Sequence, residues 1–499
     1  MAYTLPASRP LCRVSRSCAA LACAALACAA LAAWLATSPA TCAANPFDLY
    51  GAGARAAAMS GAMSTLADDA TSIYYNLATM AYQESSFAIG FVTGVDRVNI
   101  RLKSRPSGFD LPDLGPNSGA IPSSYRLRER GDTNDILDTY GIYLGAVGSL
   151  GFKFLRVGIL VYLPVNHVGL QQTRFPDERE QYFSNRLDFD LIGARQQQQV
   201  VMMGLAYQLT TWLSFGAGLS FLPSNDSFTH IYLDNPTDQS NIDLTLNNEQ
   251  AGRIAALIGL LFSPLDYLRV SFAYRGENYF SFSTVNEIQI RGFQENRDAF
   301  PVEQHVQAAL NYTPHQFVTG VAFVRDGLSV SADLEYALWS QYLNHQNLRD
   351  TGFHDTISVR VGSEYIYSPS LRFRAGFGFI QTPVPDQVGR TNYVDNHRLQ
   401  FSLGLGHPFR LFDLPFELSW SLQVHQLISR DTNKKAATAA SCTPNEALLC
   451  DELPDDALDP ATNQTIPGYQ GLQTGNPGFP GFQSFGQLIS AGFDLRWSF

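Results

Sequence analysis

A chain of 499 residues with a formal net charge of −11 has the wrong electrostatic sign for a nucleic-acid partner, which draws a basic surface. Charged residues make up 16% of the chain, against about a quarter in ordinary soluble domains. No apolar run past the N-terminus reaches the length of about eighteen residues that a membrane-spanning helix needs.

In chain order, residues 1–43 read as a secretory signal peptide. Arg9, Arg13 and Arg16 supply its basic start, Cys-Ala-Ala-Leu-Ala units beginning at Cys18, Cys23 and Cys28 its apolar stretch, and Thr41-Cys42-Ala43 a small-residue cleavage site. Its removal takes three arginines and no acid, so the exported chain is more acidic still. It also takes Cys12, Cys18, Cys23, Cys28 and Cys42, leaving Cys442 and Cys450. In an oxidising compartment a local disulfide between those two is expected, and their spacing is not that of a zinc site.

Residues 44–82 differ from the rest: rich in Ala, Gly, Ser and Met, and without two-residue alternation. Gly51-Ala-Gly53 lacks the preceding strand and following βαβ unit of a dinucleotide loop. Small residues of this kind suit short helices in a confined space, here a plug.

Residues 83–499 alternate instead. Strands are expected at 85–100, 138–148, 152–166, 196–208, 212–224, 248–262, 267–284, 314–324, 328–342, 354–367, 371–382, 396–408, 415–429 and 485–499, with 302–312 open between an extra strand and a loop. In 371–379 the outward set is Leu371, Phe373, Ala375, Phe377 and Phe379, against Arg372, Arg374, Gly376 and Gly378. From Ile489 to Phe499, Ile, Ala, Phe, Leu, Trp and Phe alternate with Ser, Gly, Asp, Arg and Ser. Two-residue periodicity of this kind marks strands with one apolar and one polar face.

The links between strands are short (148–151, 209–211, 263–266, 325–327, 368–370, 410–415) and long (101–137, 167–195, 225–247, 285–313, 343–353, 383–395, 430–484) in strict turn. Tight turns at one rim and long loops at the other are the habit of outer-membrane barrels. The fold class expected is therefore all-β: a transmembrane, antiparallel, up-and-down barrel of about fourteen strands with a small helical plug in its lumen. Its place is the outer membrane of a Gram-negative bacterium, among outer-membrane lipid. A last strand ending at Phe499 resembles the signal read by barrel-insertion machinery. The acids of the last long loop, Asp451, Glu452, Asp455, Asp456 and Asp459, leave a solvated loop and a calcium site both open.

Gly51-Ala-Gly53-Ala-Arg55, Met59-Ser-Gly61, Ala67-Asp68-Asp69-Ala70 and Tyr74-Tyr75-Asn76 resemble the start of the long-chain fatty-acid outer-membrane transporter family (FadL type), which includes transporters of toluene and other aromatic hydrocarbons. The family pattern continues Asn-Pro-Ala where this chain has Asn76-Leu77-Ala78. Asp333 to Ser340, Leu371 to Asp386, Asp395 to Arg398 and Ser402 to Gly406 resemble later parts of the family.

The resemblance implies uptake of hydrophobic small molecules, fatty acids or aromatic hydrocarbons, by passive passage through a plugged barrel with lateral exit. It implies a ligand-sensing start of the plug at Phe47, Leu49 and Tyr50. It also implies an apolar capture groove in two long loops, at Phe228, Ile231, Tyr232, Leu233, Phe293 and Phe300. A kinked third strand would form the gate, at Gly158 and Pro164, although Pro164 also suits a plain strand end. Asp68, Asp69 and Asn76 belong to the plug. Either the two aspartates pair with inward arginines such as Arg360, Arg372, Arg374 and Arg398, or those arginines pair with wall acids Glu335, Glu364 and Asp494.

No catalytic motif is present: there is no Gly-x-Ser-x-Gly elbow and no histidine set of nucleophile or metal type. No cofactor, no metal, no enzyme activity and a monomer are expected. The alternative function is a surface adhesin or structural barrel without transport.

Overall fold

The structure, a computed structural model, describes residues 46–104, 106, 133–149, 151–165, 189–191, 199–222, 224–233, 241–291, 302–344, 348–349, 352–389, 391–435, 458–459, 462, 464–465, 476 and 478–499. The expected signal peptide, Phe293, Phe300, Cys442 and Cys450 lie outside these residues.

Fourteen antiparallel strands close into one barrel. They are β1 (Ser86–Leu102), β2 (Thr133–Gly148), β3 (Leu155–Pro164), β4 (Val200–Gln208), β5 (Leu213–Phe221), β6 (Ile254–Leu265) and β7 (Leu268–Arg275). The second half is β8 (Gln316–Arg325), β9 (Leu328–Ala337), β10 (Thr356–Ser368), β11 (Leu371–Ile380), β12 (Arg398–Leu411), β13 (Leu414–Asn433) and β14 (Gly481–Ser498). Each pairs with its sequence neighbours, and β14 closes on β1 from Ser86 opposite Ser498 to Leu102 opposite Phe482. Closure leaves the barrel sheet without an edge strand, which is what allows strands to face lipid.

The alternation read from the sequence is the alternation of the wall. Ile89, Phe373, Phe377, Trp420, Leu422 and Phe493 are exposed outward, while Asp333, Glu364, Arg374, Glu417 and Asp494 are buried inside. A charge on the outer face would cost roughly 2–4 kcal/mol at the bilayer midplane; inside, the same residues can pair.

Two expected boundaries are wrong for one reason. The strands expected at 248–262 and 267–284 each break in two, at Gly252-Arg253 and Gly276-Glu277. Beyond the breaks the chain leaves the barrel. The four strands 225–233, 241–251, 278–291 and 302–313 form a separate antiparallel sheet on the long-loop side. The open segment 302–312 is thus a strand, but not of the barrel. Glycine, which packs no side chain in a ladder, separates the two sheets in both places. Likewise the strand expected at 328–342 stops at Ala337, and Trp339–Gln341 turn as a 3₁₀ segment.

Inside the barrel lie α1 (Pro46–Tyr50), α2 (Ala54–Ala58), α3 (Ser72–Tyr75) and a 3₁₀ turn, Leu77–Tyr82. None is long enough to be stable alone; the wall holds them. Inward glycines make the room. A methyl at Gly158 would stand 2.7 Å from Met80 Sδ and 2.8 Å from Ile73 Cδ1, and one at Gly376 2.5 Å from Ser60 N.

Candidate functional site

The lumen is filled, and its two sides are of opposite character. Toward β2, β3 and β4 the plug packs by apolar contact: Phe47, Ile73, Leu77 and Met80 share one buried cluster with Tyr143, Leu160, Tyr162, Val200 and Met202. The Phe47 ring meets Tyr162 and Tyr74 edge-on at 5.1 and 5.6 Å.

Toward β9–β14 the contacts are polar. Asp494 accepts from Ala54 N at 2.6 Å and from Tyr143 Oη at 2.8 Å. Asp333 accepts from Ser64 N and Ser64 Oγ at 2.9 and 2.7 Å. Arg55, buried in α2, spans Glu364 with two bonds of 3.0 Å and reaches Asp68 at 2.7 Å. Arg496 holds the same Asp68 oxygen at 2.8 Å and Glu417 at 2.8 Å. Arg374 joins Glu364 to Glu417 at 2.6 and 2.5 Å. Partial burial raises the Asp68 carboxyl, but Arg55 and Arg496 together outweigh it and hold the group below the ordinary carboxylate range.

Of the two pairings left open by the sequence, Arg360, Arg372 and Arg374 take the second. Arg360 binds Glu335 at 3.0 Å, Arg372 binds Glu417 at 3.1 Å, and Arg374 binds Glu364 and Glu417. Asp68 is instead paired by Arg55 and Arg496. Asp69 turns to its own segment, accepting from Thr71 N and Thr71 Oγ1 at 2.8 and 2.5 Å. Arg55 carried a signal that went unused: it is the single cation in residues 44–82, and a buried cation needs an acid.

Asn76 closes the plug. Its Oδ1 accepts from Ala78 N at 3.0 Å, capping the 3₁₀ turn, and its Nδ2 donates to Ser64 O and Leu260 O at 2.9 and 3.0 Å. Leu77 stands where the family has proline, at the first position of that turn, where proline's fixed φ suits a helix start. The leucine fills the recess over Gly204, Gly216 and Gly218.

Above the plug one strip of the lumen, on β1, β13 and β14, is apolar. Val98, Ile100 and Leu102 of β1, Leu427 of β13 and Phe482 and Leu488 of β14 face inward and descend to Leu49 and Tyr50. Phe189 and Val394 join them at the top, next to the parallel pairing of Asp190–Leu191 with Tyr393–Val394. At the foot of the column Tyr50 donates to Asp96, and its ring lies 6.0 Å from His425. Beside it, Asp48, Tyr74, Arg275, Glu335, Arg360, Arg398 and Gln400 line a polar cavity with about 30 Å³ of room. A water needs about 10–15 Å³ of such space, so the cavity suits water rather than a hydrocarbon. Burial raises the Asp48 carboxyl, with Arg275 and the Tyr74 hydroxyl at 2.7 Å opposing.

Phe47, Leu49 and Tyr50 are thus brought together with the plug residues Asp68, Asp69 and Asn76 in the lumen. Phe228 is 69% exposed and, with Ile231, Tyr232 and Leu233, lies on the strand 225–233 of the outer sheet, away from the lumen. Gly158 faces the plug rather than a break: the ladders on both sides of β3 run without a register shift. Pro164 is the last residue of β3, opposite Gly141. The inward apolar column reverses the alternation of the lower wall, since on upper β1 it is Val98, Ile100 and Leu102 that are buried.

One family model, described as outer membrane protein transport protein (OMPP1/FadL/TodX), matches residues 195–444. The chain is similar to the long-chain fatty acid transport protein of Escherichia coli O6:H1, 27% identical over 115 residues, covering 21% of this chain and 26% of that protein. It is also similar to alkane uptake protein A of Marinobacter nauticus, 24% identical over 137 residues, covering 24% and 30%. The matched part spans less than a third of the length of either curated relative. In fold the chain is similar to a Pseudomonas aeruginosa FadL homologue, with TM-score 0.57 and 15% identity over 93% of this chain and 100% of that one.

Proposed function

Because the chain belongs to the outer membrane protein transport protein family (OMPP1/FadL/TodX), we propose that it takes up hydrophobic molecules with a long hydrocarbon part, such as fatty acids or alkanes. The observation that carries this reading is the apolar column from Leu102 down to Leu49 and Tyr50. A barrel lumen that conducts water and ions is polar. A hydrocarbon, by contrast, gains about 0.8 kcal/mol for each CH₂ withdrawn from water, which an apolar inner wall supplies step by step.

Capture falls to the outer sheet. Its register sets Ile231 opposite Leu244 and Leu244 opposite Ile288. The next row is Leu233, Ile242 and Ile290. Those rows take alternate register positions, and Asp243 and Glu287 the positions between them. From there the ligand descends the column and displaces Leu49 and Tyr50, so that the plug senses its arrival.

Exit is lateral, above β3. What supports this is the inequality of neighbours: β2 has 16 residues and β3 only 10. Among the described residues, Thr133–Thr139 of β2 has its ladder with β1 alone.

Uptake of a fluorescent long-chain fatty acid by cells carrying Ile100→Asp with Leu488→Asp tests the column. Both residues are fully buried in the lumen, so the double variant is expected to cut uptake at least about tenfold, a cost of about 1.4 kcal/mol at the barrier. Unchanged uptake by a folded double variant refutes the route.

A further inference from the structure

The outer sheet is the continuation of four neighbouring barrel strands. The order around the barrel is β5, β6, β7, β8, and the order in the outer sheet is 225–233, 241–251, 278–291, 302–313. Each outer strand joins the barrel strand of the same rank through two or three residues, at 222–224, 252–253, 276–277 and 314–315. The sheet therefore stands on the wall as a flap along one line of joints. A few residues at the ends of elements are where one rigid part turns against another, so the angle of the flap depends on what crosses that line.

Glu277 crosses it. Its side chain is 11% exposed, and its Oε1 accepts from Arg253 at 2.8 Å, in the joint to β6. Its Oε2 accepts from Tyr312 Oη at 3.2 Å, at the foot of strand 302–313. The Glu277 amide donates to His315 Nδ1 at 3.1 Å, in the joint to β8, and Nε2 of that ring lies 3.9 Å from Oε2. The Arg253 guanidinium in turn stands over the Tyr279 ring at 4.1 Å, at the foot of strand 278–291. One acid thus ties three joints and the feet of two outer strands. A carboxylate with so little water must keep its partners. Its partners sit on different strands, so one setting of the sheet makes these bonds together.

The same feet rest on the mouth of the lumen. Tyr279 and Tyr312 stack at 5.9 Å, and Tyr312 meets Tyr342 edge-on at 5.6 Å. Tyr342 meets Phe353 at 4.1 Å and Tyr393 at 6.0 Å. Val394, next in the chain, belongs to the top of the apolar column. We propose that Glu277 is a positioning residue for ligand capture. It holds the outer sheet at the setting in which its foot meets this aromatic row, so that a hydrophobic molecule passes from the sheet to the column. It acts through the sheet and touches no ligand. The inference rests on the uptake reading above and adds to it the residue that governs the first step.

Glu277→Gln keeps the shape of the side chain and removes the charge that faces Arg253. Uptake of a fluorescent long-chain fatty acid is measured against its concentration in cells with matched amounts of barrel. Capture precedes entry into the column, so the half-saturating concentration should rise about tenfold while the maximal rate stays within about twofold. Arg253→Gln should act alike, and the double variant no worse than either alone, because both substitutions remove one contact. Hydrogen exchange gives a readout without ligand. The joint amides of Leu222 and Gly276, which donate to Arg253 O and Ala256 O, should lose protection, while the barrel ladders keep theirs. A fall in maximal rate together with ladder protection marks a general loss of stability and overturns the proposal. So does a Glu277→Gln barrel that saturates at the wild-type concentration while wild type takes up the ligand. No uptake by wild type is a different result: it overturns the uptake reading, and this inference with it. Should Glu277→Gln not assemble, Arg253→Gln, whose side chain is 35% exposed, decides by the same measurements.

Discussion

Arg55 is the residue on which the seating of the plug turns, and the outcome of Arg55→Ala can be worked from its contacts. The side chain is buried, with two bonds of 3.0 Å to Glu364, one of 2.7 Å to Asp68 and one of 3.1 Å to Leu66 O. Removing one partner of a buried pair costs about 3–5 kcal/mol, because the other charge is left behind. Here Glu364 keeps Arg374 at 2.6 Å, so the low end applies. About 3 kcal/mol is a factor of roughly 100 in an equilibrium constant. The barrel ladders do not involve Arg55, so the loss should appear in the plug alone. Hydrogen exchange reads this directly, since it reports the opening of separate units of one structure. Protection of the amides of Ala57 and Met59, which donate to Gly53 O and Ala56 O, should fall about 100-fold, with that of the barrel strands unchanged. Asp68 is half exposed, at 49%, and exposed pairs contribute about 1 kcal/mol or less. Asp68→Asn should therefore reduce plug protection no more than about fivefold. If Arg55→Ala leaves the plug amides within about twofold of wild type, or if both substitutions act alike, the ion-pair latch is the wrong explanation.

Leu77→Ala tests the apolar side of the same seat. The leucine is 2% exposed over Gly204 and Gly216, and emptying such a recess costs about 2–5 kcal/mol, seen as lost protection in Leu77–Tyr82 with the Arg55 contacts intact; no change would mean that the recess relaxes around the smaller side chain. Acidification gives the third outcome. Asp68 is held below the ordinary range, so its contribution is present above the unfolded value, about pH 4, and is lost as pH falls through its depressed folded value. Asp48 is raised and has the opposite sign: its charged form disfavours the folded plug at neutral pH, and protonation removes that penalty. The difference in plug protection between wild type and Asp68→Asn should therefore shrink below about pH 4, and a difference independent of pH would refute Asp68 as a charged contact.

Much of the barrel was legible because lipid imposes a simple rule. An outward row must be apolar, so Leu371, Phe373, Phe377 and Phe379 stand apart from Arg372 and Arg374 in the bare sequence, and the turns mark the strand ends. Where lipid no longer applies the rule fails. Past Gly252 and Gly276 the alternation continues unbroken into strands that belong to another sheet, and nothing local distinguishes a barrel strand from its continuation. The plug was legible as a composition, since Ala, Gly and Ser fit a confined space, but its contacts were not. Arg55 and Glu364 are 309 positions apart, and which inward carboxylates and arginines meet depends on barrel register. Gly158 shows the same limit: a glycine in a strand reads as a bend, whereas here it marks the close approach of Met80 and Ile73.

The division of the plug interface has a consequence for how a hydrophobic ligand could pass. A ligand arriving down the column meets Leu49 and Tyr50, which belong to α1, while the ion pairs hold α2 and the segment through Asp68. A hydrocarbon can exchange apolar contacts with α1, and with Phe47 against Tyr143 and Tyr162, at little net cost, since contacts of like kind replace each other. It offers nothing to Arg55, Glu364 or Arg496, and separating those buried charges costs several kcal/mol. The first movement should therefore be the departure of α1 from β2 and β3, with α2 still latched to β10, β11, β13 and β14. That opens the lumen on the side of β2 and β3 and keeps it closed toward the charged side. On the proposed route, the polar latch would keep the opening on one side. A plug that detached as a unit would leave an open pore.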